Sequence, residues 1–278
     1  MHLIKTLLRR KLNWVALPLM LLFGFTALLA PWLAPHDPEQ VDLSQRLAAP
    51  GAGHLLGTDH LGRDILSRLI WGARVSLGSV LIIISLVMLL SLVVGCASGF
   101  MGGITDSVLM RICEVFLSFP TFILAMFLIA VLGMGMTNVV LAIVLTHWAW
   151  YARIIRSLVL GMKHREYILA ARVAGTAPWR LFVRHLAPSI LAQLLILATL
   201  DIGHMMLHVS GLSFLGLGVQ PPTPEWGVMI SDARQYIWTY PEQILFPGAM
   251  IFLAVMAFNI PGDTLRDSLD PVIRAEEV

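Results

Sequence analysis

Charged residues are scarce in this chain of 278 residues, where Asp, Glu, Lys and Arg together make up 13%. An ordinary soluble domain contains about 25% of such residues. The shortage accompanies a hydrophobic share of 58% and a mean hydropathy of +0.81. These values exclude a soluble globular fold, and we expect the chain to be surrounded by lipid.

Cysteine is almost absent, and a nucleotide-binding motif is missing. The two cysteines, Cys96 and Cys113, cannot build a disulfide framework or a cysteine-based zinc site. No G-x-x-x-x-G-K-[ST] segment is present, so the chain cannot hydrolyse ATP by the P-loop route. We therefore expect no catalytic residues and no bound cofactor, and any energy from ATP must come from another subunit.

Long stretches without charge mark the membrane spans, because an unpaired charge at mid-bilayer costs about 2.5–3.5 kcal/mol. The longest stretch, Val115 to Ala152, exceeds the roughly 20 residues of one crossing and contains a turn signal at Gly133–Asn138. We read it as two helices. The prediction is an all-α membrane protein with six transmembrane helices, near residues 12–34, 76–101, 114–133, 138–160, 187–215 and 244–262.

Basic residues are concentrated in two regions that an even number of spans places on the same side. Lys5, Arg9, Arg10 and Lys11 precede the first span without an acid, and seven Lys or Arg residues lie from Arg153 to Arg184. Cytoplasmic loops carry such an excess, which predicts cytoplasmic N and C termini. The net charge of +2 is a by-product of this asymmetry and gives no reason to expect nucleic acid.

The first apolar run is longer than the roughly 7 to 15 residues of a cleaved signal peptide, which favours a retained anchor. We accordingly divide the chain into residues 1–74, an anchor helix with an external segment, and residues 75–278, a core of the remaining spans. A cytoplasmic loop near 161–188 belongs to this core.

The external segment contains the string Gly57-Thr-Asp-His-Leu-Gly-Arg-Asp. Its candidate functional residues are Thr58, Asp59, Gly62, Arg63 and Asp64. One interpretation is an ion cluster satisfied within the chain around a glycine turn. The other is a rim that contacts a partner protein.

The cytoplasmic loop has the pattern of two short helices separated by a glycine. Helix formers run from Tyr167 to Ala174, Gly175 has the position of a C-cap, and Pro178 begins a second helix expected to run until Pro188. Arginines surround the pair. The pattern predicts a docking element for a soluble partner.

This loop also has the spacing of the EAA loop, the signature of the membrane subunits of bacterial ABC importers. The matching positions are Ala170, Ala171, Gly175 and Pro188. Leu169 stands where the signature has its Glu, and His185 and Ala187 also depart from it. Neighbouring Glu166 is the candidate to replace the missing acid in the contact with the ATPase.

Further motifs follow one another along nearly the whole chain: Gly57–Asp64, Gly72–Leu77, Leu212–Gly218 and Glu225–Gly227. In this order they resemble the second permease of the dipeptide, oligopeptide and nickel ABC importers. Within that family, His147–Arg153, Asp201–His208 and Asp232–Trp238 are similar to the nickel permease subunit usually called C.

The resemblance implies a type I ABC importer fold in the bacterial inner membrane. It also implies a heterodimer with a second permease, two ATP-binding subunits below and a substrate-binding protein above. Nickel is the implied transported substrate. Short peptides, or a metal chelated by a small organic metallophore, are the alternative.

Ionisable side chains within the spans are the candidate translocation residues. Asp201, His204 and His208 stand at i, i+3 and i+7, within about 60° on one helix face, and His147 lies near the middle of the fourth span. Buried ionisable groups indicate a pathway or relay by default, and imidazole and carboxylate suit Ni²⁺. The alternative is hydrogen bonding across helices, with no metal contact.

An intramembrane metallohydrolase using Asp201, His204 and His208 is a third interpretation, from a different functional class. It lacks the H-E-x-x-H pairing of base and ligands. We therefore expect that the chain is not an enzyme by itself.

Overall fold

The computed structural model describes residues 10–269, which are almost entirely helical. Within this range no β-sheet forms, and only an isolated bridge joins Thr58 to Asp64. Lys5 and Arg9 lie outside the described residues. In chain order the α-helices are α1 Asn13–Leu33, α2 Ile65–Met101, α3 Gly103–Leu117, α4 Thr121–Leu132, α5 Met136–Lys163, α6 Glu166–Val173, α7 Pro178–Leu181, α8 Ala187–Phe214, α9 Trp226–Ala233 and α10 Glu242–Leu269.

Five helical segments of the described chain are long and apolar enough to cross a membrane. They are Asn13–Leu33, Ile65–Met101, Met136–Lys163, Pro178–Phe214 and Glu242–Asp267. A sixth crossing is available if α3 and α4 count as one broken span. The predicted all-helical membrane fold is confirmed, while the side on which the termini lie stays a prediction.

The third predicted span, near 114–133, is not one helix. The chain turns by 88° between α3 and α4. Pro120 stands in this break, and a proline both lacks an amide N–H and disfavours helical geometry at the residue before it. The apolar run alone gave no sign of this bend.

The helix that begins at Pro178 does not end at Pro188, as the sequence predicted. The chain remains helical through α7, a π-helical turn at Phe182–Leu186 and α8. In the π turn the Ala187 amide bonds to the carbonyl of Phe182, five residues earlier. The wider turn lets the helix continue past a proline that has no N–H to offer.

Helix α2 begins well before the predicted span at 76–101. The stretch Ile65–Trp71, which precedes the predicted span, is helical and continuous with it. Ile65, Leu69, Ala73 and Leu77 are all buried and recur every fourth residue. This buried stripe explains why the helix extends beyond the apolar stretch.

Helix α1 presents most of its apolar surface outward. Trp14 and Trp32, near its two ends, are exposed. At 1.5 Å per residue they are roughly 27 Å apart, close to the thickness of the hydrocarbon core. Tryptophans in such positions are typical of the two membrane–water interfaces.

The structure divides into two compact units. Of the described residues, the first takes in 10–82, Ile129–Val140 and 199–269. In this unit the start of α1 meets the end of α10, where Asn13 Nδ2 donates to Thr264 Oγ1 at 3.0 Å and Arg10 pairs with Asp267. Both ends of the described chain therefore lie on one side of this unit, as an even number of crossings requires.

The second unit contains Ile83–Leu128 and Leu141–Ala198. Here α2 packs closely on α5 through Gly95 and Gly99. A Cβ on Gly95 would lie 2.6 Å from the carbonyl oxygen of Ala152, and a Cβ on Gly99 would lie 2.7 Å from Cβ of Val159. Small residues four positions apart are the usual means of close helix contact in membranes.

We expect Gly95→Ala to lower the thermal unfolding midpoint of the purified protein, because overpacking costs about 1–3 kcal/mol. Gly78→Ala on the same helix is the matched control, since no atom lies within 4 Å of its added Cβ. There alanine should be neutral or stabilise the helix by about 0.5–1 kcal/mol. Equal midpoints for the two variants would contradict the close contact.

Candidate functional site

The external string forms a buried ion cluster. Arg63 Nε donates to Asp59 Oδ2 at 2.6 Å, and Arg63 Nη2 donates to Asp232 Oδ2 at 3.2 Å. Arg68 Nε lies 3.5 Å from Asp59 Oδ2. Both arginines are 1% exposed. Asp59 and Arg63 therefore pair, as one interpretation of the sequence expected, but Asp232 takes the place expected for Asp64. The cluster joins the segment before α2 to helix α9.

A glycine turn supports this cluster. Gly62 has a φ of +77°, and a Cβ at this position would lie 1.7 Å from the carbonyl oxygen of Asp42. Thr58 is buried, and its hydroxyl accepts from the Ala48 amide at 2.9 Å and donates to the Gln45 carbonyl. All five residues predicted in this string, Thr58, Asp59, Gly62, Arg63 and Asp64, are thus part of one tightly folded loop.

Asp64 has partners of its own, separate from those of Arg63. Its Oδ2 accepts from the Ser67 amide at 2.7 Å, and its Oδ1 lies 2.9 Å from Nδ1 of His54. Burial alone would raise the pKa of Asp64, but the hydrogen bonds from Ser67 and His54 outweigh it and lower the pKa below its usual value. The carboxylate is therefore ionised at neutral pH.

Glu225 is a buried carboxyl whose role the sequence did not reveal. It caps α9 by accepting from the Val228 amide at 3.0 Å, and it accepts from Ser76 Oγ at 2.9 Å. Burial raises its pKa, against the opposing hydrogen bonds. The sequence signal for this capping role was an acidic residue directly before the pattern of a short helix. Trp226 beside it donates to the Leu69 carbonyl at 3.1 Å.

Asp201, His204 and His208 form an intramembrane stripe on α8, and Asp201 and His204 lie near each other in it. His204 Nδ1 lies 4.0 Å from Asp201 Oδ1, and the imidazole is 73% exposed while the carboxylate is 13% exposed. His208 Nδ1 lies 2.8 Å from the backbone oxygen of His204. Met205 and Met206, on the same helix, are buried. The outward imidazole of His204 is thus the accessible polar group of this stripe.

His147 is placed differently from the residues of the stripe. It lies on α5 in the second unit, whereas Asp201, His204 and His208 lie in the first. Its Nδ1 is 3.1 Å from the Ile143 carbonyl and 3.1 Å from Thr146 Oγ1. These contacts fit a half-buried polar side chain within its own helix.

The cytoplasmic loop has the predicted glycine cap. Gly175 has a φ of +78°, its amide bonds to the Arg172 carbonyl at 3.0 Å, and the Thr176 amide bonds to the Ala171 carbonyl at 3.1 Å. This is the Schellman arrangement that ends many helices. Glu166 is the first residue of α6, where a negative charge is favoured by the helix dipole.

The same loop buries some of its apolar side chains and exposes other large ones on its outer surface. Ile168, Leu181 and Leu186 are buried. The outward side chains include Tyr167, Leu169, Val173, Trp179 and Val183, all of them large, apolar and exposed. Ala170 is also exposed, and Ala171 is half-buried. A cluster of exposed apolar residues rimmed by arginines is typical of a protein-binding surface.

Comparison with known families identifies two matching models. Residues 91–275 match the family described as binding-protein-dependent transport system inner membrane component. Residues 3–50 match the N-terminal transmembrane domain of oligopeptide transport permease C. Together they cover both the anchor helix and the core.

Individual relatives match over most of their length. The nickel transport system permease protein NikC of Escherichia coli is 56% identical over 94% of this chain and 95% of its own. The metal-staphylopine import system permease protein CntC of Staphylococcus aureus is 39% identical over 100% of this chain and 96% of its own. The dipeptide transport system permease protein DppC of Alkalihalophilus pseudofirmus is 38% identical over 98% and 89%.

These matches agree with the helical membrane fold and with the motifs in the external string and the cytoplasmic loop. The alignments with the three relatives extend over 94–100% of the chain and are not limited to single motifs. The chain belongs to the family of multi-pass inner membrane components of bacterial binding-protein-dependent transport systems.

Proposed function

We propose that the chain is the permease subunit of an ABC importer that carries nickel across the bacterial inner membrane. The observation that carries this proposal is the 56% identity, over 94% of the chain, to a nickel transport permease. Three relatives named for other substrates are 38–42% identical. Each of these alignments covers more than 90% of the chain, so the higher identity favours nickel.

The proposed machine contains a second permease, two ATP-binding subunits and an external binding protein. ATP is hydrolysed by the partner subunits, and this chain contributes the pathway and the docking loop. The exposed apolar side chains around Gly175 are the surface that would contact an ATP-binding subunit. The buried ion cluster of Asp59 and Arg63 would keep the external face rigid beneath the binding protein.

The polar groups along the proposed pathway suit brief contact with a metal ion. Imidazole and carboxylate are ligands for Ni²⁺, and His204 lies near Asp201 while remaining open to the outside of its helix. A transport site must also release its ion. Contacts from one or two side chains, made in succession by Asp201, His204 and His208, meet that need better than a closed four-ligand cage.

A second candidate substrate is a chelated metal. The 39% identical relative is a metal-staphylopine permease, so a similar fold accommodates a metal bound to an organic ligand. Peptides are a further candidate because a 38% identical relative transports dipeptides. The same uptake measurement discriminates among the three.

We expect cells lacking the gene to lose uptake of radioactive nickel, and the intact gene to restore it. Excess dipeptide should not compete with the uptake. A strong chelator of free nickel should abolish it if the free ion is the cargo, and should leave it intact if a preformed metal chelate is the cargo. Unchanged nickel uptake without the gene, at nickel levels that limit growth, would reject the proposal.

We expect Gly175→Val to abolish nickel uptake and to weaken attachment of the ATP-binding subunits. A β-branched residue in the left-handed conformation costs roughly 1–2 kcal/mol, so the cap must rearrange. Gly175→Asn is the matched control, because asparagine tolerates this conformation at a helix C-cap. The prediction fails if the valine variant retains its ATP-binding subunits and transports at the normal rate.

We expect His204→Gln and His208→Gln each to slow nickel uptake, and the double variant to lose about tenfold or more. Glutamine retains hydrogen bonding at similar size but is a much poorer ligand for Ni²⁺. The measurement is uptake at constant pH and equal protein level. His164→Gln, in the exposed cytoplasmic loop, is the control. A wild-type rate in the double variant would return both histidines to ordinary helix packing.

A further inference from the structure

Three metal-ligating side chains meet in the segment between α1 and α2, away from the intramembrane stripe. His36, His54 and Asp64 each offer one ligand atom, and these atoms all lie within 4.8 Å of one another. His54 Nδ1 is 2.9 Å from Asp64 Oδ1, and His36 Nδ1 is 3.7 Å from Asp64 Oδ2. Among residues 10–269, no other group of three His, Cys, Asp or Glu side chains comes this close.

The carboxylate of this group is preorganised. Asp64 has a side-chain exposure of 1% and is fixed by the Ser67 amide and by the bridge to Thr58. Ser67 also holds the neighbouring ligand, because its hydroxyl accepts from the backbone amide of His36 at 3.0 Å. One serine therefore positions two of the three candidate ligands.

The imidazoles of His36 and His54 lie close together and are partly exposed to solvent. The imidazole rings of His36 and His54 have centroids 4.7 Å apart, and their side chains are 41% and 17% exposed. Two atoms bound to one ion at about 2.1 Å each can be at most about 4.2 Å apart. The three ligand atoms lie within 4.8 Å of one another, so a metal site here needs a rotation of the exposed His36 to close around one ion.

A cavity of about 250 Å³ lies in front of this group. The described residues that line it contribute three carboxylates, Asp37, Asp42 and Asp64, and no Lys or Arg. The nearby arginines Arg63 and Arg68 are directed to Asp59 instead. The cavity is thus open to a cation and has a net negative lining.

We propose that His36, His54 and Asp64 form a binding site for a divalent first-row transition metal on the predicted external face. Two imidazoles and one carboxylate are a ligand set for such metals, and three protein ligands leave positions open for water or for groups of a carrier. The choice of Ni²⁺ as the bound ion rests on the proposed function. When the metal binds Nδ1 of His54, the proton there moves to Nε2 by exchange with solvent, so the imidazole stays neutral and no net proton is released.

The site would receive the metal before translocation. An ion handed over by a binding protein must exchange ligands, and an open three-ligand site permits that exchange without releasing the ion into bulk water. His36, the most exposed of the three ligands, would make the first contact. The ion would then leave the preorganised Asp64 for the pathway.

The test is equilibrium dialysis of radioactive Ni²⁺ against the purified transporter complex, without nucleotide and with an affinity tag that contains no histidine. A background carrying His147→Gln, His204→Gln and His208→Gln removes the candidate intramembrane histidines from the measurement. We expect one Ni²⁺ site in this background, and a loss of affinity of about tenfold or more for His36→Gln or His54→Gln. Excess Zn²⁺ should displace the ion and excess Mg²⁺ should not.

His60→Gln is the matched control, because His60 belongs to the same segment but stacks on Tyr236 with ring centroids 5.9 Å apart. Its nickel affinity should equal that of the background. Absence of nickel binding, or binding unchanged in both His36→Gln and His54→Gln, would overturn the site. Binding that depends on His36 in a transporter that imports no nickel would uphold the site and reject the proposed import function, so the two failures are distinguishable.

Discussion

The cost of placing a charge or an unpaired backbone group in hydrocarbon governs the arrangement of this chain. Backbone groups in lipid can be satisfied only within helices or closed barrels, so the long apolar stretches become helices. Charges are displaced to the ends of these helices or to the segments between them. The ionisable residues that remain at mid-span, chiefly Asp201 and His204, consequently point to function.

A related cost, that of burying a charge inside the protein without a partner, governs the external segment. Arg63, in the loop before α2, and Arg68, in the first turn of α2, are buried with Asp59 and Asp232. A buried pair that loses one partner costs about 3–5 kcal/mol, so this cluster tolerates few changes. Its members come from two distant parts of the sequence. The cluster therefore ties helix α9 to the start of α2 and gives the external face a fixed shape.

The proposed functional features fall in three parts of the chain. The proposed receiving site at His36, His54 and Asp64 stands on the predicted external face, the ionisable stripe of α8 stands within the membrane, and the glycine-capped loop stands on the predicted cytoplasmic face. Each uses a different physical principle. The first relies on preorganised ligands, the second on the accessibility of an imidazole, and the third on a rigid helix end beneath an apolar surface.

The sequence by itself determined the features that depend on local signals. Charge-free stretches located the spans, although α2 begins earlier than its apolar run, and glycine with flanking helix formers located the cap at Gly175. Helical periodicity placed Asp201 and His204 on one face. These inferences succeed because a span, a cap and a helix face are each set by residues within a few turns of one another.

Only the tertiary structure decided the remaining features, because they depend on contacts between residues far apart in the chain. Arg63 meets Asp232 across 169 positions, and His36 reaches Asp64 through an irregular segment that has no periodicity. The bend at Pro120 and the π turn before Pro188 differ in outcome although both involve proline. At Pro120 the helix breaks, whereas before Pro188 a wider π turn lets the helix continue. The presence of a proline therefore does not by itself decide between the two outcomes.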